Sequence, residues 1–582
     1  MTEQLEARDR PWREHWFWGA FWRSRGIYGQ VVLAAAVTNV FALSTSLFSM
    51  TVYDRVIPND AMESLAALAI GMGVIVFFDL AIKLIRAYFI DIASRRADLD
   101  IGEKVFEQVL RMPLAARRGA SGAFASTMRE FETLREFFTS ATLVAIVDLP
   151  FILLFLLVIY MIGGWLVLVP ALSVPLVLLA ALASQPALSR LSRLGLKSAR
   201  TRQAVLVETL AGIETVKAVG AGAEMAGRWR AGIAHGAEIG QQSRFWSQLA
   251  VNAAAFAQQA VQVGIVIHGV FLIKDGLLSM GALIACSILA GRALAPLAQL
   301  ANVLARAHHA AASFKVLSEI MAAPVEMRAG QGALTKSRFN GAIEFRNVIF
   351  RYPGKPYRAL DDVSFRIEPG ERVALLGRVG SGKSTLARLI LGLYTPEDGT
   401  VTIDGTEVRQ WDPDHLRRSV GVVLQDVCLF SGTIRHNVTV GLDDVDDDRL
   451  LAAAEASGLH DMIGHLPQGY DLEIEERGEG LSGGQRQAIA LTRALVRDPA
   501  IYVMDEPTSA MDVRTEAQFI ERMKPLVEGR TLVLVTHRTA MLDLVDKVIV
   551  LDRGKVVAAG PRDRVLAALS PKGPRPAAEA VA

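Results

Sequence analysis

The chain has 582 residues, of which 51% are hydrophobic and 21% charged, with a formal net charge of +2. That length exceeds what one hydrophobic core supports, so at least two domains are expected. The near balance of charge argues against a nucleic-acid binder relying on a large basic surface, and the two well-separated cysteines, Cys286 and Cys428, make neither a disulfide framework nor a zinc site.

In chain order, residues 1–27 carry charges and tryptophans but no short apolar core with a small-residue cleavage site, and read as a cytoplasmic lead-in. Six apolar stretches follow, at 29–50, 64–85, 141–162, 165–184, 249–273 and 279–300. Each is near the roughly 20 residues needed to cross a bilayer as a helix. They define an expected transmembrane domain over 28–318. Lys and Arg are dense in 83–140, in 186–246 and after 300, whereas the connectors between hold only Arg55, no basic residue at Gly163-Gly164, and Lys274. The positive-inside rule then predicts that both termini are cytoplasmic.

The two cytoplasmic connectors each exceed fifty residues and carry helical patterns, as in 204–218, so they are expected to prolong the membrane helices beyond the bilayer. Polar residues inside the spans include Asp79 and Lys83, Gln258, Gln259 and Gln262 with His268, and Arg292. They are pathway contacts or helix-to-helix glue, and Asp79 with Lys83 has the spacing of an intrahelical pair.

A linker over 319–340 separates this half from an α/β domain at 341–569, and a Pro- and Ala-rich tail, 570–582, is expected to be disordered. Within the α/β domain, Gly377-Arg378-Val379-Gly380-Ser381-Gly382-Lys383-Ser384-Thr385 follows an apolar strand, 373–376, and precedes a helical pattern. Glycines let backbone N–H groups wrap phosphates at a helix start, a lysine reaches the outer phosphates, and the Ser384 hydroxyl meets Mg²⁺. A second strand, 501–504, ends in Asp505-Glu506. Beside such a loop, the first acid holds Mg²⁺ through water and the second polarises an attacking water. Between them stands Leu481-Ser482-Gly483-Gly484-Gln485-Arg486-Gln487 at a helix start, a second anion site that makes sense if it closes on nucleotide held by another copy.

These residues resemble the ATP-binding cassette superfamily, whose signature is Leu481 to Gln485. The resemblance implies an α-helical six-span exporter domain followed by a P-loop ATPase domain, ATP and Mg²⁺ as ligands, and further roles by position. Tyr352 matches the aromatic that stacks on adenine, Gln425 the glutamine that senses Mg²⁺, and His537 the switch histidine at the γ-phosphate. Ser509-Ala510-Met511-Asp512 matches the dimer-contacting loop, with Met where Leu is usual, and Glu476-Arg477-Gly478 the loop that contacts the membrane-domain helices; its alternative reading is a solvated charged turn. Six spans resemble half of an exporter, so a dimer is implied; a homodimer is the simpler reading, and pairing with a different half-transporter stays open.

In the first half, Met50 to Pro58, Arg129 to Glu132 with Phe137-Phe138, Asp148 to Phe151, and Gly212 to Lys217 look like the type I secretion exporters. That resemblance implies an unfolded protein cargo with a C-terminal signal, often a repeat-rich toxin, protease or adhesin, moved out of a bacterial cell from its inner membrane. It also implies a periplasmic adaptor and a TolC-like outer-membrane channel as partners, and no nucleic acid. Many relatives carry an N-terminal peptidase-like domain; the short lead-in here cannot contain one, so leader cleavage is not expected. A lipid, drug or peptide exporter has the same architecture and is the alternative.

Overall fold

The computed structural model describes residues 15–116, 131, 132, 134, 137, 147–326, 332–442 and 444–569. They fall into two compact units, one comprising Met1–Arg111 with Arg118–Ala323 and the other Met112–Arg117 with Pro324–Ala582.

The first unit is helical: α1 (Trp18–Arg23), α2 (Arg25–Thr51), α3 (Met62–Arg111), α4 (Phe151–Gly163), α5 (Leu168–Ala211), α6 (Ile213–Ala218), α7 (Gly222–Lys274) and α8 (Met280–Met321). Among the described residues, five stretches are long and apolar enough to cross a membrane: Arg25–Val56, Met62–Arg111, Phe151–Ala211, Gly222–Lys274 and Met280–Leu297. The third joins two helices, because α4 and α5 meet across a 3₁₀ turn, Gly164–Val167, where Gly164 takes a left-handed φ of +54°. The six expected apolar stretches therefore lie on six separate helices, although the start of the third, 141–146, lies outside the described residues. Helix α3 is 50 residues long and α7 is 53, well beyond a bilayer's thickness.

Helix α8 is the hub of this unit. Leu283, Cys286, Leu289, Ala290, Ala293, Leu294 and Leu297 along it are buried against Ile152, Phe155 and Ile159 of α4, Val177 of α5, and Ala254, Ala257, Val261 and Ile265 of α7. Large apolar side chains on the outside, such as Leu153, Leu172 and Phe256, stay more than two-thirds exposed. An aqueous protein would bury such a surface; a bilayer solvates it.

Polar groups pin the helices to one another. Asp148, just before α4, accepts from Asn39 Nδ2 of α2 and Arg86 Nη1 of α3, each at 3.3 Å. Asp54, in the π-helical turn Val52–Val56 after α2, braces the start of α8, whose N-cap is Ser279: it accepts from Ser279 Oγ at 2.5 Å and from the Gly281 N–H at 2.8 Å. Lys83 pairs with Asp79 of its own helix at 2.6 Å, and Gln262 of α7 donates to Ser287 of α8. For these three the intrahelical pair and the helix-to-helix bond are the observed contacts. Phe131 and Phe137 pack on a cluster that includes Phe17, Ile101, Val105 and Leu317, whereas Arg129, Glu130 and Phe138 lie outside the described residues.

The second unit is α/β. A four-stranded antiparallel sheet has the order β2-β1-β4-β5, from β1 (Ile343–Phe350), β2 (Leu360–Ile367), β4 (Asp398–Ile403) and β5 (Thr406–Glu407). A six-stranded sheet has the order β12-β11-β3-β10-β9-β6, from β3 (Arg372–Gly377), β6 (Val420–Val423), β9 (Ile501–Asp505), β10 (Thr531–Val535), β11 (Lys547–Asp552) and β12 (Lys555–Pro561). A two-stranded ribbon joins β7 (Gly432–Thr433) to β8 (Glu473–Ile474). Strands β9 and β10 are buried at every position, as parallel strands covered on both faces must be. Parallel pairing sets Val535 opposite both Asp505 and Leu375, so β3, β10, β9 and β6 end at one edge. In open parallel sheets that carboxyl edge is where ligands bind.

Candidate functional site

The loop after β3 is shaped by glycine. Gly377 has φ +146°, Gly380 +79° and Gly382 +105°. A Cβ on Gly377 would overlap the Leu551 carbonyl oxygen of the neighbouring strand, and one on Gly382 would lie 2.7 Å from the Ala359 carbonyl oxygen. At Gly380 the space is open. Helix α9 (Lys383–Ile390) starts directly after Gly382, so its free N–H groups face the loop.

Lys383, only 6% exposed, folds back on the loop and donates to the carbonyls of Gly377 (2.7 Å) and Arg378 (2.9 Å). Burial pushes its ammonium below the usual lysine value, while Asp505 and Glu506 pull the other way. Asp505 at the end of β9 accepts a hydrogen bond from the Ser384 hydroxyl, yet burial dominates and holds its carboxyl above the usual range. Ser381 is buried, and its hydroxyl has no hydrogen-bond partner among the described residues. Val379 at the loop tip is exposed, and Thr385 is buried with its hydroxyl 3.1 Å from that of Tyr352.

Glu506 follows Asp505 in a left-handed conformation, φ +52°, with its N–H donated to Val535 O at 2.8 Å. His537 Nε2, beyond the end of the adjacent β10, lies 3.5 Å from Glu506 Oε1. Gln425, after β6, is exposed at the same edge. The structure thus gathers Gly377 to Thr385, Asp505, Glu506, His537 and Gln425 at one sheet edge. Tyr352 lies just after β1 of the other sheet: its hydroxyl also accepts from Arg388 Nη1 at 2.8 Å, and its ring packs edge-on against Phe350 and Tyr394.

The Ser482 to Gln485 segment begins helix α10 (Gly483–Leu495) with a capping box. Ser482 Oγ accepts from the Gln485 N–H at 3.2 Å, and Gln485 Oε1 accepts from the Ser482 N–H at 2.8 Å. Gly483 and Gly484 lie against Ala510, where a Cβ on Gly483 would come within 3.1 Å of the alanine methyl. Asp512 caps helix α11 (Val513–Val527) by accepting from the N–H groups of Arg514 and Thr515.

Residues 360–509 match the model of the ABC transporter family, and residues 29–296 match that of the ABC transporter transmembrane region. The chain is 34% identical over 556 residues to the alpha-hemolysin translocation ATP-binding protein HlyB of Escherichia coli, covering 95% of this chain and 78% of that protein. It is 33% identical over 554 residues to the leukotoxin translocation ATP-binding protein LktB of Mannheimia glucosida, with the same two coverages of 95% and 78%. The chain belongs to the ABC transporter family. The fold is also similar to a bacterial Atm1-family ABC exporter solved with ATP bound, at a TM-score of 0.83 and 26% identity over 94% of this chain and 96% of that one. The second unit of this ABC transporter is therefore an ATP-binding domain whose hydrolysis of ATP is coupled to transport, and the whole is a multi-pass membrane protein.

Three residues of this site carry contacts that sequence reasoning did not assign. Gln487 binds Glu506 and Ser509; Arg538 donates to Ser509 O at 3.0 Å; and the buried Glu516 pairs with Arg538 while accepting from Thr508 Oγ1 at 2.6 Å. Their adjacency to named motifs was the available signal, but no spacing rule says which backbone atoms they reach.

Proposed function

We propose that the chain is the ATPase and permease of a type I secretion system, exporting an unfolded protein of the repeat-toxin, protease or adhesin kind with a C-terminal signal. The observation that carries this is the similarity to two toxin-translocation proteins over 95% of the chain, membrane unit included. The resembling membrane segments also supply structural contacts, Asp54 at the start of α8 and Asp148 between α2 and α3. In this reading the chain sits in a bacterial inner membrane with both termini and the ATP-binding domain cytoplasmic. It works as a pair of copies, with a periplasmic adaptor and an outer-membrane channel.

The ATP site is assigned as follows. The N–H groups of Gly377 to Gly382 hold the phosphates, with the unpartnered Ser381 hydroxyl and the open space at Gly380 as the fitting features. Lys383 leaves its loop carbonyls for the outer phosphates, and Tyr352 faces the adenine. Mg²⁺ suits the donor set, since Ser384 and Asp505 are adjacent oxygen ligands and a buried carboxylate held above its usual range gains from a cation; Gln425 lies at its edge. When bound, Mg²⁺ would neutralise charge on the β- and γ-phosphates. Glu506 takes the proton of the attacking water as general base, and His537 donates a hydrogen bond to the γ-phosphate. Ser482, Gly483, Gly484 and Gln485 complete the site of the second copy.

The cargo is tested by deleting the gene and comparing the proteins released to the medium. Loss of one large protein is expected. Release unchanged, with altered lipid composition or drug resistance, would replace this reading by the lipid, drug or peptide exporter.

A further inference from the structure

Gln487 is only 4% exposed, and its three side-chain hydrogen bonds all go to one short segment. Its Nε2 donates to the carbonyl of Glu506 at 3.0 Å and to Ser509 Oγ at 2.7 Å, and its Oε1 accepts from the Ala510 N–H at 2.9 Å. Glu506 is the one residue of that segment in a left-handed backbone, a conformation costing a non-glycine residue about 1–2 kcal/mol. It persists because it is held from two sides, by β10 through Val535 O on its N–H and by α10 through Gln487 on its carbonyl. Gln487 lies two residues past Gln485, so the helix that presents Ser482 to Gln485 also sets the peptide that aims the Glu506 carboxylate.

We infer that Gln487 is a positioning residue for ATP hydrolysis: it fixes the Glu506 backbone and the Ser509-Ala510 turn in register with the signature helix. The inference rests on the assignment of Glu506 as general base. Gln487 touches no group assigned to nucleotide binding, so its loss should slow turnover without weakening ATP binding. A merely packed glutamine would show the opposite insensitivity of turnover once its volume is kept.

The test uses the full-length protein in lipid nanodiscs with MgATP. Gln487→Met keeps the side-chain length and removes every hydrogen bond; Gln487→Glu keeps the acceptor for Ala510 and removes both donors. Thermal melting identifies the variant that is folded, and Gln487→Glu serves if Gln487→Met is not. A fall in kcat of about ten- to a hundredfold, the scale of a misplaced catalytic group, with KM for ATP changed less than about twofold, supports the inference. Wild-type kcat in a folded variant, or a rise in KM with kcat kept, overturns it. Glu506→Gln is measured alongside. Full turnover there defeats the base assignment, whereas an inactive Glu506→Gln beside fully active Gln487 variants defeats the role of Gln487 alone.

Discussion

Replacing Gly377 by alanine should damage the ATP-binding domain more than the same change three residues later. At Gly377 the backbone sits at φ +146°, and its partner across the parallel ladder is Leu551, whose carbonyl oxygen the new Cβ would overlap; Ser381 Oγ would lie at 2.7 Å. The strained φ costs about 1–3 kcal/mol, and overlap with an immobile strand carbonyl adds about 1–3 kcal/mol more. Gly380 also has a left-handed φ, +79°, but nothing within 4 Å of its Cβ position, so only the conformational cost of about 1–2 kcal/mol applies. At about 2–4 °C of melting temperature per kcal/mol for a domain of this size, Gly377→Ala should lower the melting point at least about twice as far as Gly380→Ala. Because Lys383 binds the Gly377 carbonyl, Gly377→Ala should weaken ATP binding as well. The assay is thermal denaturation of each variant with and without ATP; equal shifts for the two substitutions would refute the steric argument.

Asp404 is half-buried with its side chain only 4% exposed, and it binds Lys336 Nζ at 2.8 Å and the N–H groups of Asn340, Gly341 and Ala342. Burial opposes its ionisation, but these bonds hold its carboxyl below the usual value of 3.8. With the folded value below the unfolded one, its stabilisation is present above pH 3.8 and is lost as pH falls through the folded value. Asp404→Asn should cost about 1.5–3 kcal/mol at pH 7, and urea unfolding should show the gap to wild type shrinking on acidification; a widening gap contradicts the sign. Asp54→Ala should cost the start of α8 about 0.5–2 kcal/mol. Gly281→Ala should destabilise the same joint, because its Cβ would meet the Met50 carbonyl and come within 2.6 Å of Asp54 Cγ. Melting in detergent checks both, and wild-type stability in either would remove Asp54 as the brace of that helix start.

What the sequence made legible was local. The glycine-rich loop, the strand running into Asp505-Glu506 and the Ser482 helix start each carry their chemistry within a few residues, and the strand pattern places them at one sheet edge. The helices of 50 and 53 residues were readable because 83–140 and 186–246 lack strand alternation and turn signals. The break at Gly163-Gly164 was visible as two glycines between apolar runs. Long-range partners were not legible. Asp54 meets Ser279 across 225 positions and Arg86 meets Asp148 across 62, and no periodicity encodes either pairing. Gln487 was visible beside the signature, but its hold on the Glu506 carbonyl follows from how α10 packs on the end of β9.

The measurement that bears most directly on the ATPase-driven exporter is steady-state ATP hydrolysis and ATP binding by purified full-length Glu506→Gln against wild type. The account predicts that this variant binds ATP as wild type does and turns it over at least about a hundredfold more slowly, the scale of a lost general base; turnover near the wild-type rate would contradict it.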